Sequence, residues 1–113
     1  MRNLRLTILC ALFFSAITAV ASAQTGYDNY NTASSYLNAG KYNEAIEYYK
    51  MALVKIPELE LKAKTFNQLS YCHRSLKQYD LAIKTAQLGL KIPSKYKSAL
   101  YYNLGQAYQG KEL

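Results

Sequence analysis

Residues 40–57 read GKYNEAIEYYKMALVKIP, and residues 77–93 read KQYDLAIKTAQLGLKIP. Superposing them sets Tyr42 on Tyr79, Asn43 on Asp80, Ala45 on Ala82, Ile46 on Ile83 and Leu53 on Leu90, with Pro57 close to Pro93 and an offset of 37 residues at the alanines. Self-similarity at this period marks stacked supersecondary units, each of which needs its neighbour to bury an apolar face. It constrains the fold more than composition does.

Each copy carries helix punctuation. Asn43 and Asp80 suit a helix start, because a side-chain oxygen there can accept from an amide left unpaired in the first turn. Pro57 and Pro93 close the helices, since proline disfavours helix at the residue before it and has no amide to donate. Between cap and proline, Ala45, Tyr49 and Ala52 share one face, as do Ala82, Ala86 and Gly89. That i, i+4, i+7 spacing predicts a buried stripe of small residues that lets a second helix come close. The second helix lies upstream in each copy, from about Tyr27 to Asn38 and from about Leu61 to Leu76. Gly40 suits the left-handed position after a helix end. The unit is helix, tight turn, helix; SALYYNLGQAYQG, from Ser98, begins a third copy as a fifth helix.

The first 23 residues are read apart from this pattern. Arg2 and Arg5 precede the apolar run LTILCALFFSAITAVASA, which ends with Ala21, Ser22 and Ala23. A basic start, an apolar middle and an Ala-x-Ala exit are the layout of a cleaved secretory signal. The alternative is an uncleaved anchor, because the run approaches the length that spans a bilayer. The small-residue exit and the polar QTGYDNY after it favour cleavage, and Cys10 follows bulky Leu9, which is not a lipoprotein site. The mature chain is expected to be one all-α domain of residues 24–113 working outside the cytosol, as periplasmic or secreted protein, touching membrane only through the signal before cleavage. Cys72 then has no intramolecular partner. Charge is uneven: residues 24–60 carry a net −2 and residues 61–113 a net +7. Nucleic acid is not expected as a partner, because scattered lysines on helices are ordinarily solvated.

Tyr101, Leu104, Gly105 and Tyr108 stand at the spacing of the first-helix pattern of the tetratricopeptide repeat, with tyrosine for tryptophan. Phe66, Leu69, Ser70 and His73 repeat it, followed by Ala82 and Pro93; Ala33, Tyr36, Ala45, Tyr49 and Pro57 form the first copy. The chain resembles this family over the whole of residues 24–113. The resemblance implies an α-solenoid of about two and a half repeats, at about 26–59, 63–94 and 98–113. It departs from the family at Asn29 and Thr32, which are polar where the family is bulky, and at ELELK, which lengthens the junction after Pro57.

The resemblance further implies a concave groove lined by the first helices, taking an extended peptide or a partner's helix. Carried over by position, it would show Tyr30, Asn31, Ser34 and Asn38, then Lys64, Asn67, Gln68, Tyr71 and Arg74, then Tyr102, Asn103 and Gln106. Asn67, Gln68 and Asn103 would pair with a peptide backbone, and Lys64 and Arg74 would hold a carboxylate. The family's clamp for a terminal carboxylate needs lysine and asparagine in the first repeat, where Tyr30 and Ser34 stand. Among the 12 tyrosines, Tyr36, Tyr42, Tyr49, Tyr79, Tyr101 and Tyr108 fall at family core positions.

No catalytic or metal-binding constellation appears, and no cofactor is expected. Cys72 and His73 are neighbours on a helix and point about 100° apart, so they cannot act as nucleophile and base; both read as packed core residues. The expectation is a non-catalytic exported scaffold that binds a protein or peptide. The alternative is the leading piece of a longer exported sensory or signalling protein with an effector beyond Leu113. Tyr101, Leu104 and Tyr108 lack the second helix of their own repeat, which predicts an uncovered stripe and self-association through it.

Overall fold

The computed structural model describes residues 2–113, with side chains from Arg5 onward; Arg2 of the basic start therefore has its side chain outside the described residues. Five helices follow one another: α1 (Arg2–Asn38), α2 (Tyr42–Lys55), α3 (Leu59–Ser75), α4 (Tyr79–Leu90) and α5 (Lys97–Glu112). Among the described residues there is no strand. α1 packs on α2, α2 on α3, α3 on α4, and α5 on both α3 and α4. This is the stacked arrangement of helix pairs that the repeat predicts.

The two tight turns share one construction. After α1, Gly40 N–H donates to Leu37 O at 3.0 Å and Lys41 N–H to Tyr36 O at 2.9 Å. After α3, Lys77 N–H donates to Arg74 O and Gln78 N–H to His73 O, both at 2.9 Å. These crossed bonds define a Schellman ending, whose penultimate residue is left-handed: Gly40 has φ 74° and Lys77 has φ 60°. Glycine takes that conformation freely, whereas a side chain brings Cβ against the carbonyl, at a cost of about 1–2 kcal/mol. Lys77→Gly is therefore expected to stabilise the chain by about 1 kcal/mol. Urea denaturation checks it, and an unchanged midpoint would count against the strain.

The turns are so short that the residue closing one helix caps the next. Lys41 O accepts from Ala45 N–H and Gln78 O from Ala82 N–H, both at 3.0 Å. Asn43 and Asp80 consequently fall inside the first turn and do not cap, contrary to the sequence expectation; α2 and α4 have no side-chain cap bond. Asp80 instead holds Lys111 of α5 at 2.6 Å.

α1 runs unbroken through Ala23, so the apolar run continues directly into the first helix of the repeat. The junction contains no proline, and one glycine, Gly26, does not break a helix. Residues 5–22 of α1 are exposed, and packing begins with Gly26, which is buried against the Lys55–Ile56 backbone of α2. Most of ELELK, which lengthens the junction after Pro57, is helical. Only residues 56–58 link α2 to α3, with Ile56 extended before Pro57, and the extra residues form the first turn of α3. From it Glu60 accepts Lys95 N–H at 3.1 Å, bracing the α4–α5 connection.

The core comes in two clusters. Ala33, Ala45, Ile46, Tyr49, Leu69 and Cys72 pack together, ringed by Tyr30, Tyr36, Tyr42 and Tyr48. Ala82, Ile83 and Ala107 form the second, with Tyr79 and Leu104 against them. At the α3–α4 crossing, Ser70 Oγ donates to Ala82 O at 2.9 Å, a contact possible only because both side chains are small.

Candidate functional site

α1, α3 and α5 present their side chains along one face, and most of the groove residues read from the sequence come together there. Tyr30 is half-buried, edge-on to Tyr49 with centroids 5.6 Å apart, and Lys64 Nζ lies 5.7 Å from its ring centroid. Farther along, the Arg74 guanidinium lies 5.2 Å from the Tyr71 ring and 5.8 Å from the Tyr102 ring. The face is a row of tyrosines alternating with two cations. A cation over a ring gains from the ring's negative face, by about 0.5–1 kcal/mol where exposed.

Asn103 ties α5 to α3. Its Nδ2 donates to Asn67 Oδ1 at 2.6 Å and to Asn67 O at 3.3 Å, and its Oδ1 accepts from Arg74 Nη2 at 3.1 Å. Asn103 is only 5% exposed, which corrects its assignment as an accessible amide: it is an inter-repeat clamp that holds Arg74 in place. Ser34 is also engaged internally, 3.0 Å from the Tyr49 hydroxyl. Asn31, Asn38, Tyr71 and Tyr102 are exposed, while Lys64, Asn67, Gln68, Arg74 and Gln106 are partly exposed.

The structure adds residues that position in the repeat did not suggest. Tyr42, from α2, stands edge-on to Tyr71 with centroids 6.2 Å apart. A pocket of about 220 Å3 is lined by Arg74, Gln106, Tyr79, Gln109, Gly110 and Leu113. Arg74 Nε is buried without a hydrogen-bond partner. The sequence signal for Tyr42 and Tyr79 was their equivalence: each opens the second helix of its repeat and leans on the first helix of the next, Tyr79 against Gly110.

Residues 29–53 and 63–96 match the tetratricopeptide repeat family. The chain belongs to that family. Repeats of this family build helical scaffolds for protein interaction. No curated protein matches the chain significantly.

Within this tetratricopeptide repeat chain Cys72 and His73 are both buried. His73 Nδ1 lies 2.8 Å from Gln78 Oε1 and so donates to it, reinforcing the turn at Lys77. Burial pushes the Cys72 thiol up to about 12, so at neutral pH it holds its proton and is a poor nucleophile. Among the described residues no group of three or more His, Cys, Asp or Glu side chains gathers to hold a metal. In the native full chain, iodoacetamide at pH 8 is expected to modify exposed Cys10 and to react with Cys72 at least a thousandfold more slowly than in denaturant. Peptide mapping after short pulses checks it, and comparable labelling of the two thiols would contradict the packing.

Two of the family's core tyrosines are not core here. Tyr101 is 54% and Tyr108 47% exposed, whereas on α3 Ser70 and His73, in register with Gly105 and Tyr108, are buried, Ser70 against Ala82 of α4. Among the described residues no helix lies over the corresponding face of α5.

Proposed function

We propose that this chain is an exported, non-catalytic helical-repeat scaffold that takes a protein or peptide partner along the face of α1, α3 and α5, holding acidic groups of that partner with Lys64 and Arg74. The observation that carries this reading is the setting of Arg74. Its guanidinium is flanked by Tyr71 and Tyr102, fixed by Asn103, and left with a buried Nε unpartnered beside an open pocket. A guanidinium fixed in this way loses little entropy on meeting a carboxylate, and its remaining donors suit one. The exposed tyrosines supply contact area at low conformational cost.

Export is supported by the basic start, the apolar run and the small-residue exit at Ala23. α1 is long and apolar enough to cross a membrane. Among the described side chains, residues 5–22 are exposed and contribute none of the buried side chains of the repeats.

A labelled peptide of alternating Asp and Pro, which is extended and cannot form a helix, tests the groove by fluorescence anisotropy. Lys64, Tyr71 and Arg74 changed together to alanine are expected to leave far-UV circular dichroism unchanged and to weaken binding at least tenfold. Loss of helix would make the three residues structural, and unchanged affinity would remove the groove.

A further inference from the structure

Lysines gather at one end of the repeats, the end from which the apolar part of α1 departs. Gly26 of α1 meets the Lys55–Ile56 backbone at the end of α2, and the Tyr27 hydroxyl donates to Glu58, just before α3. Glu60, in the first turn of α3, accepts from Lys95 N–H between α4 and α5. The C-termini of α2 and α4 and the N-termini of α3 and α5 therefore share this end, which carries Lys55, Lys62, Lys91, Lys95 and Lys97. Its carboxylates are engaged elsewhere: Glu58 and Glu60 by the bonds just named, and Asp28 by Gln24 Nε2 at 3.1 Å. Among the described residues the ion pairs are Lys50–Glu47 and Lys111–Asp80, so the five lysines leave this end positive. Val54 and Leu59 are exposed here as well, by 83% and 60%.

The apolar part of α1 fixes what this end can meet. Residues 5–22 are exposed and run about 27 Å as helix, close to the thickness of a bilayer's hydrocarbon. From Ser22 to Gly26, where packing begins, is about 6 Å, the depth of a headgroup layer. α1 has no break in between, so a bilayer spanned by residues 5–22 has its surface against the lysine-bearing end. Arg2 and Arg5 precede the apolar run, and residues 24–40 hold no lysine or arginine. That bias keeps the N-terminus on the cytoplasmic side and places the repeats on the other, in keeping with export. Ala21, Ser22 and Ala23 lie within the helix, whereas proteolysis favours locally unfolded chain, so the helix favours retention of the segment.

We propose that residues 5–22 are retained as a membrane span and that the lysine-bearing end of the repeats docks on anionic lipid headgroups of the same bilayer. The ammonium groups meet lipid phosphates on flexible apolar stems, and Val54 and Leu59 enter the interface between them.

The full chain is reconstituted in vesicles of phosphatidylcholine, alone or mixed with phosphatidylglycerol. Alkaline carbonate should leave it in the vesicle pellet. Cys10 should react with iodoacetamide at least tenfold more slowly there than in the chain without lipid, because hydrocarbon disfavours the thiolate. With Cys10→Ser in place, a fluorophore on a cysteine introduced at Leu59 or at Lys77 reads docking through quenching by lipid with a nitroxide headgroup. In mixed vesicles quenching at 59 should exceed that at 77 at least threefold, and K55E/K91E/K95E/K97E or high salt should remove the excess. The charge variant should still resist carbonate, which separates loss of docking from loss of the span. Release by carbonate, unslowed labelling of Cys10, or an N-terminus at Gln24 in chain exported from cells overturns the span. Equal quenching at the two positions, or an excess at 59 that is the same without phosphatidylglycerol, overturns the docking surface.

Discussion

Tyr49→Ala is expected to destabilise the chain by about 3–5 kcal/mol, a large share of the stability of a small domain. Tyr49 is the largest fully buried side chain, packed in a cluster otherwise built from alanines, Ile46, Leu69 and Cys72. Its ring meets Tyr30 edge-on and its hydroxyl meets Ser34, so truncation opens a cavity and unties α1 from α2 together. Tyr49→Phe removes only the hydroxyl contact and should cost about 1 kcal/mol. Burial pushes the Tyr49 phenol up to about 12 from its usual 10. Between those values the unfolded chain has released this proton while the folded chain keeps it, so stability is full below pH 10 and falls as pH rises toward 12. Cys72 adds a fall in the same direction, starting near pH 9. Tyr49→Phe should flatten the loss above pH 10. Urea titrations followed by far-UV circular dichroism measure all of these, and a Tyr49→Ala chain within about 1 kcal/mol of the parent would show that this ring does not hold the first repeat.

Gly89→Ala should also destabilise, by about 1–3 kcal/mol, although alanine is the better helix former by nearly 1 kcal/mol. A Cβ at Gly89 would lie 2.7 Å from Leu100 Cδ2 and 2.8 Å from Phe66 Cβ. Leu100 is fully buried, and Phe66 Cβ sits next to its own backbone, so relief requires α3 or α5 to move. α4 packs against both of those helices at this point, and a shift there loosens the second repeat and α5 at once. Gly105→Ala is the matched control, because its Cβ would enter open space; it should gain rather than lose stability. Equal effects at both glycines would mean that helix propensity, not the crossing, decides.

The helix pairs and their buried stripe were legible in the sequence because both depend on spacing: Ala45, Tyr49 and Ala52, then Ala82, Ala86 and Gly89, are all buried. Gly40 announced its turn by being glycine. Lys77 did not, because a lysine forced into the left-handed conformation carries no local signal, and only its equivalence to Gly40 marks it. Asn43 and Asp80 misled for a related reason: capping propensity is local, and a turn three residues long had already assigned the caps to Lys41 and Gln78. That Lys64 lies beside Tyr30, and Arg74 beside Tyr71 and Tyr102, follows from their positions in the repeat. Which of the polar residues are already spent does not. Asn103 and Ser34 meet partners 36 and 15 residues away, and long-range pairing is invisible to periodicity.

The central claim, that the partner is held along the face of α1, α3 and α5, is tested most directly by amide chemical-shift mapping of the isotopically labelled full chain titrated with the extended Asp-Pro peptide. Saturable shifts are expected, concentrated between Lys64 and Arg74 and between Tyr102 and Gln106, with α2 and the outer face of α4 unmoved. Shifts confined to α2 or the outer face of α4, or none at millimolar peptide, would contradict the claim.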